Sequence, residues 1–407
     1  MNLSTWVFIV AFAVAAFSPG AAATSNKYDA NSRTEAAEEA RWLVAQANWG
    51  TLSYRKPDDA KKPLSMIASY ADVDGRIFFY LMEGQSFEAC LTLSEAELKP
   101  FANYARAACG VEGQFDVEDP RCAKLSISGL ISPCRSEESC DAGKSALFQR
   151  HPEMEKWPRN HNFAVFELIE VNDIWMIYNY GGGSLLTFEE FQNAEPRHHP
   201  KNYDILQDGK ELRELYQSSI PHWDKKAERA RWIVGKSLWA TVTTISVRLD
   251  GLPWGNIRST VDGSSLQSST GKPIFYLPTP DPSNIDVSQN QNISLQFSEA
   301  SLAERLDNKG NSCGGLDTMD PLCARVMIFG IAKKVTESKA LKPIRKSFKE
   351  SHPLAPWLWK GGAHTGGNYY TVDPQEILLL DYYGGPTVVD VEKYLDCKMP
   401  AGLTIQE

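Results

Sequence analysis

The 407-residue chain has no Cys-x-x-Cys pair and no ordered Gly-x-Gly-x-x-Gly, and neither Gly-x-Ser-x-Gly nor His-Glu-x-x-His recurs in both halves. These gaps argue against a dithiol redox centre, a serine-hydrolase elbow, a zinc-peptidase helix and a phosphate-cradling loop. The seven histidines do not fall at ligand spacing beside cysteines, so no metal is expected. Positive charge is scarce as well. The formal net charge is -9, and the basic runs (Lys61-Lys62, Lys225-Lys226, Lys333-Lys334) stop at pairs that read as solvated faces. Such a chain is a poor binder of nucleic acid or anionic membrane. After the first two dozen residues no apolar run approaches a spanning length, so the chain is not expected to cross a membrane.

What is present begins at the first residues. Trp6 to Phe17 is apolar, Ser18-Pro19-Gly20 breaks it, and Ala21-Ala22-Ala23 supplies an A-x-A cleavage pattern. Residues 1–23 therefore read as a signal peptide, which places the mature chain outside the cell or in an endolysosomal compartment. The missing Lys or Arg in the n-region leaves an uncleaved anchor as the alternative. In an oxidising compartment eight cysteines point to disulfides. Asn292-Ile-Ser294 is a glycosylation sequon.

The chain contains one pattern twice. His151 to Gly182 and His352 to Gly385 each start with His-Pro, pass a Trp, enter an alternating apolar segment and stop at Tyr-Gly-Gly. Upstream, Glu38, Ala40, Arg41, Trp42, Val44 and Trp49 match Glu228, Ala230, Arg231, Trp232, Val234 and Trp239. A duplication fixes the domain count at two. The charged, proline-bearing stretch from Ala194 to Trp223 links the copies, which puts domain 1 at 24–210 and domain 2 at 211–407.

Each half reads as a helix, about six alternating strands and two short helices, the pattern of a closed antiparallel barrel. Ser32 with Glu35 predicts a capped helix start, with Ala36, Ala40, Leu43 and Val44 on its apolar face. Leu52–Arg55 and Leu64–Ala71 predict a hairpin; Gly251 to Gly271 reads as a longer turn in its place in the second half. Short helices are expected over Gly143–Gln149 and Pro343–Glu350, and an Asn-Asp turn after Phe163–Leu168. Pro278 to Asn292 reads as a polar loop. Arg41 and Arg231 are expected to pack on an aromatic at the helix-to-sheet junction. The pairs Gly181-Gly182 and Gly384-Gly385 are expected at sharp turns with positive φ.

Cys109 and Cys122, and Cys313 and Cys323, bound loops that both begin Cys-Gly and end Asp-Pro-x-Cys. They are expected to form disulfide staples, and Cys134 with Cys140 a local bridge found only in the first half. Cys90 and Cys397 either join across the halves or stay free.

The order Ala-Arg-Trp-Leu-Val, Trp-Gly, Phe-Tyr-Leu, Asp-Pro-x-Cys, His-Pro-Glu-Met-x-x-Trp-Pro and Tyr-Gly-Gly resembles the CREG family of secreted glycoproteins. The resemblance covers roughly residues 36–193 and 225–395. It implies two tandem FMN-binding split β-barrels of the pyridoxamine 5'-phosphate oxidase type, mainly β with short helices. Such barrels pair about a two-fold axis, so the two on this chain are expected to pair with each other and to bury a symmetric apolar face. The family is generally without bound flavin because insertions obstruct the crevice, and its members engage cell-surface or sorting receptors. The expected function is therefore binding, growth or differentiation control or a lysosomal role; the alternative is a flavin-dependent oxidoreductase.

No catalytic constellation recurs in both halves. If FMN does bind, its phosphate needs clustered Arg, Ser and Thr on adjoining strands. Ser53, Arg55, Ser65, Thr243 and Arg248 are the candidates the sequence offers. His151 and Trp157 are further binding candidates, although a His before Pro at a helix end more often caps or packs. His352 is its twin.

Overall fold

The computed structural model describes residues 30–98, 103–104, 109, 115–199, 201–202, 220–263, 269–302, 305, 307, 311–359, 362 and 364–398. The signal segment and the domain boundary near residue 210 lie outside them.

The first barrel opens with helix α1 (Ala30–Gln46), followed by β1 (Trp49–Lys56), β2 (Asp59–Val73), β3 (Arg76–Met82), β4 (Phe87–Ser94) and β5 (Lys124–Pro133). Helix α2 (Glu137–Arg150) then leads to β6 (Phe163–Ile177), β7 (Ser184–Leu186) and α3 (Phe188–Asn193). The strands lie in the order β3-β2-β1-β4-β5-β6-β7, and β3 also pairs with β6, which closes a six-stranded antiparallel barrel. The second barrel repeats this with α4 (Lys226–Lys236), β8 (Trp239–Ile245), β9 (Pro253–Val261), β10 (Ile274–Leu277), α5 (Pro282–Gln289) and β11 (Asn292–Ser298). It continues with β12 (Arg325–Lys334), α6 (Ser338–Ser351), β13 (Asn368–Leu380), β14 (Thr387–Val389) and α7 (Val391–Asp396). Here β10 pairs with β13 to close the ring. Two barrels of one topology on one chain are what the internal repeat requires.

Strand alternation sorts the residues of β1 and β8 between two interiors. Leu52 and Val242 point into their own barrel cores, while Thr51, Ser53, Thr241 and Thr243 point outward and are still buried. The second barrel covers the first on that face. Close approach there needs Gly255: a Cβ at this position would stand 2.3 Å from Thr92 Oγ1 and 2.5 Å from Ser53 Oγ. At the Gly181-Gly182 and Gly384-Gly385 turns the backbone has φ between 92° and 122°, as expected.

Several local expectations are corrected. Helix α1 begins at Ala30, so Ser32 lies inside its first turn and is not its cap. Much of the supposed turn from Gly251 to Gly271 is strand β9, buried throughout; its Trp254 and Ile257 pack against the first barrel. The Asn-Asp turn is absent: β6 runs unbroken and carries a bulge, with Glu170 at φ 50°, where its register against β5 slips. Helices α2 and α6 are each 14 residues long, longer than the sequence suggested, and Pro343 sits within α6 near its start. The Pro278–Asn292 loop contains helix α5, begun by Asp281 accepting from the Ser283 N–H. Short strands β7 and β14 stand between the Gly-Gly turns and the closing helices. Cys90 and Cys397 do not join; both are free, and Cys90 is fully buried.

Arg41 and Arg231 each place a guanidinium over an aromatic ring of the closing helix, 5.4 Å from the centroid of Phe191 and 5.3 Å from that of Tyr394. They also donate to the carbonyls of Gln192 and Tyr394, which ties the first helix of each half to its last. Gly255→Ala is expected to destabilise the chain by about 1–3 kcal/mol through overpacking between the barrels. Chemical denaturation of the full chain checks this, and an unchanged midpoint would contradict the close approach.

Candidate functional site

The densest set of polar side chains lies between the barrels. Thr51 and Thr241 share a hydrogen bond of 2.8 Å, and Ser53 and Thr243 one of 2.7 Å. Each pair is separated by 190 residues and joins equivalent positions, so a pseudo-two-fold axis passes between β1 and β8. Ser65 meets Ser294 at 3.1 Å, and Ser126 donates to the Gly255 carbonyl at 2.8 Å. The expected symmetric apolar face is thus a belt of hydroxyls at its centre, because strand alternation sends the apolar side chains into the barrels.

Flanking the belt are two copies of one latch. Each Asp-Pro-x-Cys loop crosses to the other barrel and delivers an aspartate. Asp317, from the second barrel's loop, accepts from His151 Nδ1 at 2.7 Å and from Ser69 Oγ at 2.8 Å. Asp116, from the first barrel's loop, accepts from His352 Nδ1 at 2.7 Å and from Ser259 Oγ at 2.7 Å. Nε2 of each histidine faces a backbone carbonyl of its own barrel, Tyr70 O at 2.9 Å and Thr260 O at 3.0 Å. Backbone N–H groups of Met319 and Glu118 complete the carboxylates' partners.

This local structure follows from the chain around it. Disulfides Cys109–Cys122 and Cys313–Cys323, with Cα atoms 5.7 and 5.4 Å apart, staple the loops. Each bridge packs on a tryptophan of the other barrel: Cys313 and Cys323 cluster with Trp49 and Ile67, and Cys109 and Cys122 with Trp239 and Ile257. Lys124 and Arg325, just after the second cysteine of each loop, reach back to loop carbonyls and hold its shape. Burial and the nearby Arg258 charge pull the Lys124 ammonium down to about 8. The histidines close α2 and α6, their N–H groups bonding to Leu147 O and Phe348 O.

The constellation is not a hydrolase triad. The aspartate stands between Ser and His, and each serine bonds to the carboxylate instead of the imidazole. Both His352 nitrogens face acceptors only, so the ring is most stable with a proton on each. Burial opposes that charge, but the hydrogen bond and charge of Asp116 outweigh burial and raise the His352 pKa above the usual range. For Asp116 and Asp317 burial again opposes ionisation, and the histidine and serine donors outweigh it and hold both carboxyls low. Neither imidazole has a free nitrogen to serve as a base.

The structure brings together some of the residues singled out in the sequence and not others. Ser53, Thr243 and Ser65 share the belt, each engaged across the interface. Arg55 donates to Gly251 O at 3.2 Å, and Arg248 forms an ion pair with Asp173. Lys62 and Glu376 make the reciprocal contact, so each barrel's hairpin tip clasps the other's long strand. Each of the five is already engaged by a residue of the other barrel. His151 lies in the latch. Trp157 stacks beside Tyr80 and Phe163, with centroids 5.9 and 4.9 Å away, as packing for α2. A cleft of about 170 Å³ beside His352, lined by Phe115, Asp116, Trp239 and Leu354, is below the size of ordinary ligand pockets. Cys134–Cys140 is bridged, with Cα atoms 5.5 Å apart. The sequence reading missed Asp116 and Asp317. The signal was available: both loops read Asp-x-x-Asp-Pro-x-Cys, and the first aspartate repeats as faithfully as the second.

Two antiparallel split barrels, each with a stapled loop crossing to its twin, define the class of protein. The family model for the CREG beta-barrel matches residues 31–193 and again 221–396, and the chain belongs to that family. It is 30% identical to human Protein CREG1 over 174 residues, covering 40% of this chain and 76% of that protein. Against chicken Protein CREG1 it is also 30% identical, covering 40% and 88%. Among solved structures it is similar to a heme binding protein from Mycobacterium smegmatis, with 15% identity, a TM-score of 0.31 and coverage of 60% and 84%. A protein related to general stress protein 26, of the pyridoxinephosphate oxidase family, from Clostridium acetobutylicum gives 13%, 0.28, and 42% and 98%.

Asp317→Ala and Asp116→Ala are each expected to destabilise the chain by about 3–5 kcal/mol, because removing the carboxylate breaks a buried pair and leaves the His Nδ1 without its partner. Denaturation curves test this, and losses of a few tenths would remove the latch from the account. The pH dependence follows from the shifts. His352 is raised, so its contribution is complete below its unfolded value near 6.5 and fades as pH rises through the folded value. Asp116 and Asp317 are lowered, so theirs is present above about 4 and is lost only in stronger acid. Glu118 also faces His352 and favours its protonated form. The difference in melting temperature between wild type and His352→Gln should therefore narrow from pH 5 to pH 7.5. A constant difference would refute the linkage.

Proposed function

We propose that this chain acts by binding, as a secreted or endolysosomal glycoprotein that engages a cell-surface or sorting receptor, and not as a flavin oxidoreductase. The observation that carries the reading is the state of the interbarrel crevice. The Ser, Thr and Arg side chains that a flavin phosphate would need are engaged by the other barrel, and both latch histidines have two partners. Binding flavin there would mean breaking buried hydrogen bonds, each of which costs more to leave unmade than it contributes when formed. The apolar first residues, the three bridges and the sequon support passage through an oxidising compartment. Asn292 is half-exposed at the first position of β11, next to exposed Gln291, which leaves its amide within reach of glycosylation.

Protein purified from a secretory host is expected to show no flavin absorbance and to leave FMN fluorescence unchanged on titration. Stoichiometric flavin with turnover of a reductant would overturn the proposal in favour of a split-barrel oxidoreductase. In the same preparation Asn292→Gln should lower the apparent mass by one glycan and abolish the shift produced by an N-glycosidase. An unshifted wild-type band would remove the glycoprotein part of the reading.

A further inference from the structure

The two halves differ most in charge on one pair of equivalent helices. Helix α2 carries Glu137, Glu138 and Asp141 against Lys144 and Arg150. Helix α6 carries Lys339, Lys342, Arg345, Lys346 and Lys349 against the single acid Glu350. All five cations are exposed, in a protein whose net charge is -9. Their positions recur every three or four residues, so they form one stripe about 15 Å long on the outer face of the helix. Four of them, with Ser338 and Leu341, line an open groove of about 470 Å³. Among the described residues Lys346 alone of the five has a carboxylate within 4 Å, that of Glu350 at 3.6 Å. Trp359 lies at the end of the stripe, 49% exposed, its indole held by a bond to Pro353 O and with Lys349 Nζ 5.3 Å from the ring centroid.

We propose that this face is a docking site for a linear sulfated polysaccharide of the glycosaminoglycan class. Sulfates repeated along a chain match a row of exposed ammonium and guanidinium groups, and an exposed indole beside them offers a flat face to a sugar ring. A membrane surface fits less well. Leu341, Ile344 and Phe348 turn inward onto Tyr276, Trp357 and Tyr369, so the helix has no apolar face left to enter lipid. A nucleic-acid duplex fits less well too, because it would meet a chain whose net charge is -9. The inference is independent of the interbarrel latch and goes beyond the receptor-binding reading: a protein without flavin or receptor could still bind sulfated glycan here.

The test is calorimetric titration of the full chain with a heparin-derived decasaccharide at about physiological ionic strength. Saturable binding is expected, weakening at least about tenfold when salt is raised roughly threefold. The triple variant K342E/K346E/K349E should bind at least about tenfold more weakly, whereas K342R/K346R/K349R should stay within about twofold, because charge is what the site supplies. Lys144→Glu, on the equivalent helix of the first barrel, should leave affinity unchanged. The substituted positions are exposed, and an unchanged melting temperature separates lost binding from lost folding. The proposal is overturned if wild type does not bind the decasaccharide, or if the charge-reversed variant binds equally well. Tighter binding to phosphatidylserine vesicles or to a double-stranded oligonucleotide than to the decasaccharide would overturn it as well.

Discussion

Two buried carboxylates hold the molecule together. The carboxylates of Asp116 and Asp317 are nearly out of solvent, each carried by one barrel and hydrogen-bonded by the other. An ionised carboxylate in such surroundings is tolerable only with several donors aimed at it, and here a histidine, a serine and a backbone N–H supply them. The serine and histidine that answer each aspartate lie on a strand and at a helix end of one barrel. A carboxylate therefore fixes how the loop, the strand and the helix meet. The disulfides restrict the loops before they dock, so less conformational freedom is lost when the aspartates reach their partners.

Around the latches the interface divides its tasks. The hydroxyl belt contributes little net attraction, because Ser and Thr on a separated barrel would bond to water equally well. Attraction comes instead from the apolar clusters where Trp49 and Trp239 cover the other barrel's disulfide, and where Trp254 meets Trp175 edge-on at 5.5 Å. What the belt adds is register. Thr51 can face Thr241, and Ser53 Thr243, in one alignment only; a slip of one residue would bury a hydroxyl against a side chain that cannot answer it.

The duplication, the barrel class and the cysteine pairs were legible in the sequence because each rests on local pattern: repeated order, alternation and loop spacing. That Arg41 and Arg231 pack on an aromatic was legible too, but the ring each meets lies on the closing helix and not at a helix-to-sheet junction. The latch was not, because His151 and Asp317 are 166 residues apart, and nothing in either segment says which barrel the loop will visit. The strand character of Pro253–Val261 was obscured by its flanking glycines and by its burial on both faces, which removes the polar alternation that marks a half-exposed strand. Pro343 similarly masked the start of α6, because a proline reads as the first residue of a helix and here it is the sixth.

Having two copies makes the structure its own control. The Asp–His–Ser latch, the Trp-on-disulfide contact and the hairpin clasps are kept on both sides, as a pseudo-symmetric interface demands. Differences gather where the axis does not constrain them. Arg258 sits buried between Glu118 and Asp281 on one side, whereas Met319 packs against the first barrel's core on the other. The divergence of Glu153-Met154 from Leu354-Ala355 is of this kind: Met154 fills a core position, and in the other copy Ala355 leaves room that Trp357 enters more deeply than Trp157 does. Packing can be exchanged in this way without moving the latch beside it. Surface charge on α6 is freer still, since no contact across the axis depends on it, and a face that the fold does not need is one that a partner can shape.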